Sequence, residues 1–130
     1  MTFDAIGIAG SALSLHRKWL DAIADNLANV NTATSTDGAA FQARYIVAEA
    51  GAGQGGVFVA GAAFGDPEGR LAYEPTNPLA DAKGYVRYPD IDMGSQMSQL
   101  ILAQRGYQAN AAVVDRAKGS YEAALQIGRN

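Results

Sequence analysis

The stretch Ile6–Val30, IGIAGSALSLHRKWLDAIADNLANV, decides the fold. Ile6, Ala9, Leu13, His16, Leu20, Ile23, Leu27 and Val30 step alternately by three and four. That spacing puts one seam along a helix for more than three heptads, with His16 as its polar member. No Pro interrupts Thr2 to Val30, Thr2 can cap the start, and Asp4 sits in the electropositive first turn. Asn29 and Asn31 suit the stop, because Asn tolerates the left-handed conformation that ends helices.

A second seam runs from about Asp92 to Ile127. Met93, Met97, Leu100, Gln104, Tyr107, Ala111, Val114, Lys118, Tyr121 and Leu125 repeat the same steps. Asp92 or Ser95 can serve as its N-cap and Gly128 as the residue beyond its end. Gly94, Gly106 and Gly119 weaken this helix, each by up to about 1 kcal/mol relative to Ala.

Between the helices lies a Gly- and Pro-bearing zone. Phe41 to Ala48 alternates as a strand with Phe41, Ala43, Tyr45 and Val47 on one face, and Val57 to Ala63 follows a glycine turn as its hairpin partner. Leu71–Tyr73 and Gly84–Tyr88 read as shorter strands around a loop with two prolines. The predicted fold is mainly α with a small β insert. Residues 1–32 and 90–130 form paired helices of antiparallel coiled-coil type, and residues 33–89 form the insert.

Composition asks for partners. Of 130 residues, 26 are Ala, whereas Leu, Ile, Val and Phe together number 27. A core built on so few large side chains offsets conformational entropy poorly, so neighbouring chains are expected to supply burial. The net charge is −3 with ten scattered basic residues, which gives no footprint for nucleic acid. With no Cys there is no disulfide framework and no thiol chemistry. No apolar run is long enough to span a bilayer. The N-terminus lacks the basic and apolar regions of a cleaved signal peptide, so export, if it occurs, is expected by another route.

No residue pattern points to catalysis, a metal or a cofactor. Gly51, Gly53 and Gly56 match G-x-G-x-x-G, but a strand signal (Val57 to Ala60) follows where a phosphate site needs a helix N-terminus, so a hairpin turn is the reading. His16 has no carboxylate three or four residues away and is read as a register-setting polar residue. Asn26, Asn29 and Asn110 allow two readings, a polar contact layer between helices or plain capping and exposure. Assembly or pairing is assigned to Leu13, Leu20, Ile23, Asn26, Leu27, Asn29, Thr32, Leu100, Tyr107, Asn110, Val114, Tyr121 and Leu125.

Three motifs resemble those of a known family. Asn26-Leu27-Ala28-Asn29-Val30-Asn31-Thr32 is similar to the signature ending the first helix of flagellar rod and hook proteins. Gln104-Arg105-Gly106-Tyr107-Gln108-Ala109-Asn110 resembles their C-terminal signature, with Gly106 where relatives often carry Ser or Ala. Tyr73-Glu74-Pro75-Thr76-Asn77-Pro78-Leu79-Ala80-Asp81, then Gly84-Tyr85-Val86 and Pro89, is similar to the pattern of proximal rod members. The resemblance implies a torque-transmitting structural subunit of the bacterial basal body, exported through the flagellar type III apparatus and assembling with itself and other rod proteins. It also implies that Leu27, Asn29, Thr32, Tyr107 and Asn110 act in helix pairing or subunit contact. Two other classes remain open at this point: a helical chaperone or adaptor using the same seams, and a nucleotide-binding enzyme built on the Gly51 turn.

Overall fold

The computed structural model describes residues 2–53 and 55–129, and no side chain is described for Thr2 or Phe3, so the Thr2 cap lies outside the described residues. The order is α1 (Thr2–Asn29), β1 (Arg44–Ala50), β2 (Val57–Phe64), β3 (Arg70–Tyr73), β4 (Tyr85–Tyr88) and α2 (Met93–Ile127). The strands make two separate two-stranded sheets, β1-β2 and β3-β4. The chain divides into two compact units: Met1–Leu20, Ile46–Gly61 and Leu100–Asn130 form one, and Asp21–Tyr45 with Ala62–Gln99 the other.

In the first unit, the glycine stretch before β2 closes as a turn. The Gly51 N–H donates to the Gly56 carbonyl at 2.9 Å, and Gly53, Gly55 and Gly56 all have positive φ, the region only Gly enters at little cost. β2 follows directly, so the glycine triplet serves a hairpin. Ser11 fastens this hairpin to α1: its Oγ donates to the Ile8 carbonyl at 2.7 Å and accepts the Val57 N–H at 3.0 Å. Among the described residues of this unit, Ala9 and Ala103 are the buried apolar ones.

The second unit holds most of the buried apolar residues. Val30, Ala43 and Ile91 cluster, with Phe41 packed against them, and Val86 and Pro89 are fully buried. β3 and β4 pair antiparallel in the register Arg70↔Tyr88, Leu71↔Arg87, Ala72↔Val86 and Tyr73↔Tyr85. Thr34 extends the sheet on the far side of β4 by exchanging backbone hydrogen bonds with Arg87 at 2.8 and 2.9 Å. Gly69, at φ +59°, passes so close to the Tyr88 carbonyl that no side chain fits there. Asp92 caps α2, its Oδ2 accepting the Ser95 N–H at 2.9 Å, which satisfies one of the open donors of the first turn.

Three expectations need correction. First, no residue other than Gly has positive φ among the described residues, so neither Asn29 nor Asn31 ends α1 in the left-handed conformation. The end tightens instead through Val30 N–H to Leu27 O (3.4 Å) and Thr32 N–H to Asn29 O (3.0 Å). Second, Phe41, Ala43, Tyr45 and Val47 do not share one environment. Ala43 is buried and Phe41 half-buried, but the strand starts at Arg44, after which Tyr45 and Val47 are exposed and Ile46 is turned in. Ile46 and Ala48 line an apolar groove with Leu15 and Trp19.

Third, α2 turns inward a different stripe from its large-residue seam. Gln96 and Ala103 are buried and Gly106, Asn110 and Ala117 half-buried, whereas Met93, Met97, Gln104, Tyr107, Lys118, Tyr121 and Leu125 are exposed. Leu100, Ala111 and Val114 lie half-buried between the two faces. Small residues let helix axes approach closely, so the Ala and Gly stripe is the one that fits against a neighbour within the chain.

Candidate assembly joint

Asn26 belongs to the second unit and is 1% exposed in the last turns of α1. Its Oδ1 accepts the Arg44 N–H at 2.8 Å while its Nδ2 donates to the Arg44 carbonyl at 3.0 Å and to Gln96 Oε1 at 3.1 Å. The amide therefore acts toward Arg44 as a neighbouring strand would, meeting both backbone groups of one residue. Its orientation admits no flip, because a backbone N–H needs an acceptor and a carbonyl needs a donor. Beside it the Arg44 guanidinium pairs with Asp25. One side chain thus joins α1, the first residue of β1 and the first turn of α2.

The other two amides bond within their own helices. Asn29 Nδ2 donates to the Asp25 carbonyl at 2.9 Å and its Oδ1 accepts the Thr32 hydroxyl at 3.2 Å, so Asn29 and Thr32 close the end of α1. Asn110 Nδ2 donates to the Gly106 carbonyl at 2.8 Å. Sequence reading missed Gln96, Asn26's partner. Its signal was available: Gln96, Ala103, Asn110 and Ala117 recur every seven residues, a heptad stripe with amides among small residues.

In the first unit His16 meets Gly106. A Cβ built on Gly106 would overlap the His16 ring at Nε2 and Cδ2. His16 Nδ1 lies 2.7 Å from the Ala12 carbonyl, and since a carbonyl only accepts, Nδ1 carries the proton and Nε2 faces the glycine notch. His16 faces Gly106 and Asn26 faces Gln96. The first of these contacts belongs to the first unit and the second to the second. Of the remaining assigned residues, Ile23 is buried, Leu13, Leu20 and Leu27 are half-buried, and Thr32 is exposed.

The segment Glu122–Arg129 is exposed throughout. Hydrogen exchange on the dilute chain is therefore expected to show the amides of residues 122–127 losing protection first, since exposed helix ends fray most readily. Protection equal to that around Ala103 would contradict this.

The loop between β3 and β4 is held by two carboxylates. Glu74 accepts the Tyr88 hydroxyl at 3.0 and 3.1 Å and Asn77 Nδ2 at 2.9 Å. Asp81 accepts the N–H groups of Lys83 and Tyr85 at 2.9 Å each and the Thr36 hydroxyl at 3.1 Å. These donors, the Tyr85 N–H foremost, hold the Asp81 carboxyl below its ordinary value of 3.8. A depressed folded-state value stabilises the native chain above the unfolded value and is lost as pH falls through the folded one. Acid unfolding of Asp81→Asn is thus expected to depend less steeply on pH below about 4 than that of the parent. An unchanged slope would show that Asp81 contributes nothing to acid sensitivity.

Among the described residues no group of three or more His, Asp or Glu could hold a metal ion, and no helix is long and apolar enough to cross a membrane. The described features are those of a helical assembly subunit: an amide clamp, small-residue helix contacts and a long exposed apolar helix face.

Comparison with known proteins gives that class its name. Residues 6–33 match the family described as flagella basal body rod protein, and residues 82–127 match the C-terminal family of flagellar basal body rod FlgEFG proteins. The chain is 41% identical over 126 residues to the flagellar basal-body rod protein FlgC of Escherichia coli O157:H7, covering 94% of each chain. It is 40% identical to FlgC of Salmonella typhimurium, again covering 94% of each, and 29% identical to FlgC of Bacillus subtilis, covering 98% of each. The chain belongs to the flagellar basal-body rod proteins and is most like FlgC. Two of the motifs fall inside the matched ranges: the Asn26–Thr32 stretch, which clamps and closes α1, and the Gln104–Asn110 stretch, which supplies the notch for His16.

Proposed function

We propose that this chain is a structural subunit of the proximal rod, packing against copies of itself and against other rod proteins in a tube that passes motor torque across the periplasm. In this reading it is exported through the flagellar type III apparatus without a cleaved signal, and it performs no catalysis and needs no cofactor, small-molecule substrate, nucleic acid or membrane insertion. The observation that carries the reading is the outer face of α2. Met93, Met97, Ile101 and Tyr107 are exposed in the single chain although they lie on a helix whose small-residue stripe is already used. Exposed apolar side chains in such a row mark an interaction surface, and parallel heterologous contacts of this kind build an open helical array. The assigned residues Leu100, Tyr107, Val114, Tyr121 and Leu125 belong to this outer face or its border. A chaperone or adaptor reading would use the same face, but membership of the rod family favours assembly.

The test is genetic. A deletion strain is expected to lack rods, hooks and filaments, and the parent gene to restore them. A Met97→Glu/Ile101→Glu variant is expected to fold, as judged by circular dichroism, yet fail to restore motility. Full restoration by that variant would overturn the role of this face, and normal basal bodies in the deletion strain would overturn the rod reading itself.

A further inference from the structure

The β3-β4 hairpin leaves one edge open. Arg87 spends its backbone N–H and carbonyl on Thr34, and the Tyr85 carbonyl accepts from Asp81 while its N–H donates to the Asp81 carboxylate. Both groups of Arg87 and of Tyr85 therefore point away from β3, which makes Leu71↔Arg87 and Tyr73↔Tyr85 the non-hydrogen-bonded pairs of this ladder. The N–H and carbonyl groups of Leu71 and Tyr73 then point outward, and they find no backbone partner among the described residues. Their side chains are 58% and 65% exposed. An exposed apolar edge strand is a template for another strand.

The sequence along that edge selects its occupant. Arg70-Leu71-Ala72-Tyr73-Glu74 reads as its own complement when laid antiparallel on itself about Ala72. Arg70 then lies opposite Glu74 of the second copy, and Leu71 opposite Tyr73. The outward groups of Leu71 and Tyr73 close two reciprocal rings of backbone hydrogen bonds. Both charged side chains share one face: Arg70 stacks over the Tyr88 ring at 5.0 Å, and the Glu74 carboxylate holds the Tyr88 hydroxyl. Opposite charges directly across a ladder stabilise it, whereas a shifted register loses both pairs.

We propose that the open edge of β3 pairs with the same edge of a second copy, antiparallel about Ala72, joining two hairpins into one four-stranded sheet. A two-fold contact closes on itself and adds no growth to an open array, so this is a contact of chains outside the rod. It does not depend on the rod reading.

Sedimentation equilibrium of the full chain is expected to show a dimer that dissociates on dilution, and Leu71→Lys to raise its dissociation constant at least tenfold. Ala72 supplies a second test, because the two copies of Ala72 form a non-hydrogen-bonded pair about 4.5 Å apart at Cα, within disulfide reach. The chain has no native Cys. Ala72→Cys should therefore oxidise to a covalent dimer many times faster than Ala82→Cys, an exposed loop position off the edge. The proposal fails if the chain stays monomeric up to millimolar concentration. It also fails if Leu71→Lys leaves association unchanged while Ala72→Cys crosslinks no faster than the loop control, since association would then run through another surface.

Discussion

Asn26→Ala is expected to destabilise the chain by roughly 3 kcal/mol, because it strips a buried backbone N–H and carbonyl of their partners and orphans the Gln96 amide. Each unmet buried group costs about 1–3 kcal/mol, and water entering the space left by the amide returns part of it. Urea unfolding read by circular dichroism measures the effect as a lower midpoint at unchanged slope. Asn26→Asp separates shape from hydrogen bonding. The replacement keeps the volume and the acceptor for the Arg44 N–H but turns a second oxygen toward the Arg44 carbonyl. It should therefore be at least as damaging as Ala at pH 7 and milder where the carboxyl protonates. In cells, either change is expected to abolish swarming. An Asn26→Ala midpoint equal to the parent's would mean that the clamp holds nothing.

Gly106→Ala carries the second large effect, and helix propensity and tertiary contact give it opposite signs. By propensity, replacing a mid-helix Gly stabilises by up to about 1 kcal/mol. By contact, the new methyl group occupies the place of the His16 ring, which cannot swing aside without giving up its 2.7 Å bond to Ala12. Overpacking of this kind costs about 1–3 kcal/mol, so net destabilisation is expected, and more for the larger Gly106→Val. His16→Ala should relieve it. A double-mutant cycle of Gly106→Ala with His16→Ala is expected to show a coupling on the order of 1–2 kcal/mol. A stabilised Gly106→Ala with no coupling to His16 would show that the notch is not filled in solution.

These two residues also show how far the sequence could be read. The seam of α1 was legible because its large residues all recur on one face, and none of Ile6, Leu13, Leu20, Ile23, Leu27 or Val30 is exposed. On α2 the same arithmetic selected the large residues, while the chain uses the small ones for itself. Periodicity reports that a face is apolar but not which neighbour covers it, and Met97 and Gln96 sit only one residue apart. Asn26 was visible as an amide near an apolar seam. Its partners, Arg44 and Gln96, lie 18 and 70 residues away, and no local pattern encodes that distance.

The amino-acid sequence alone settled which segments are helix and which are strand, since Pro, Gly and capping residues act on their immediate neighbours, and it carried the motifs that resemble the family, although β1 starts at Arg44 and not at Phe41. Only the tertiary structure decided which stripe of α2 turns inward, which side of β1 is covered and what Asn26 holds. The reason is physical: local backbone preferences are properties of a few adjacent residues, whereas the choice among competing faces is made by how closely two distant segments can approach and by whether every buried polar group finds a partner.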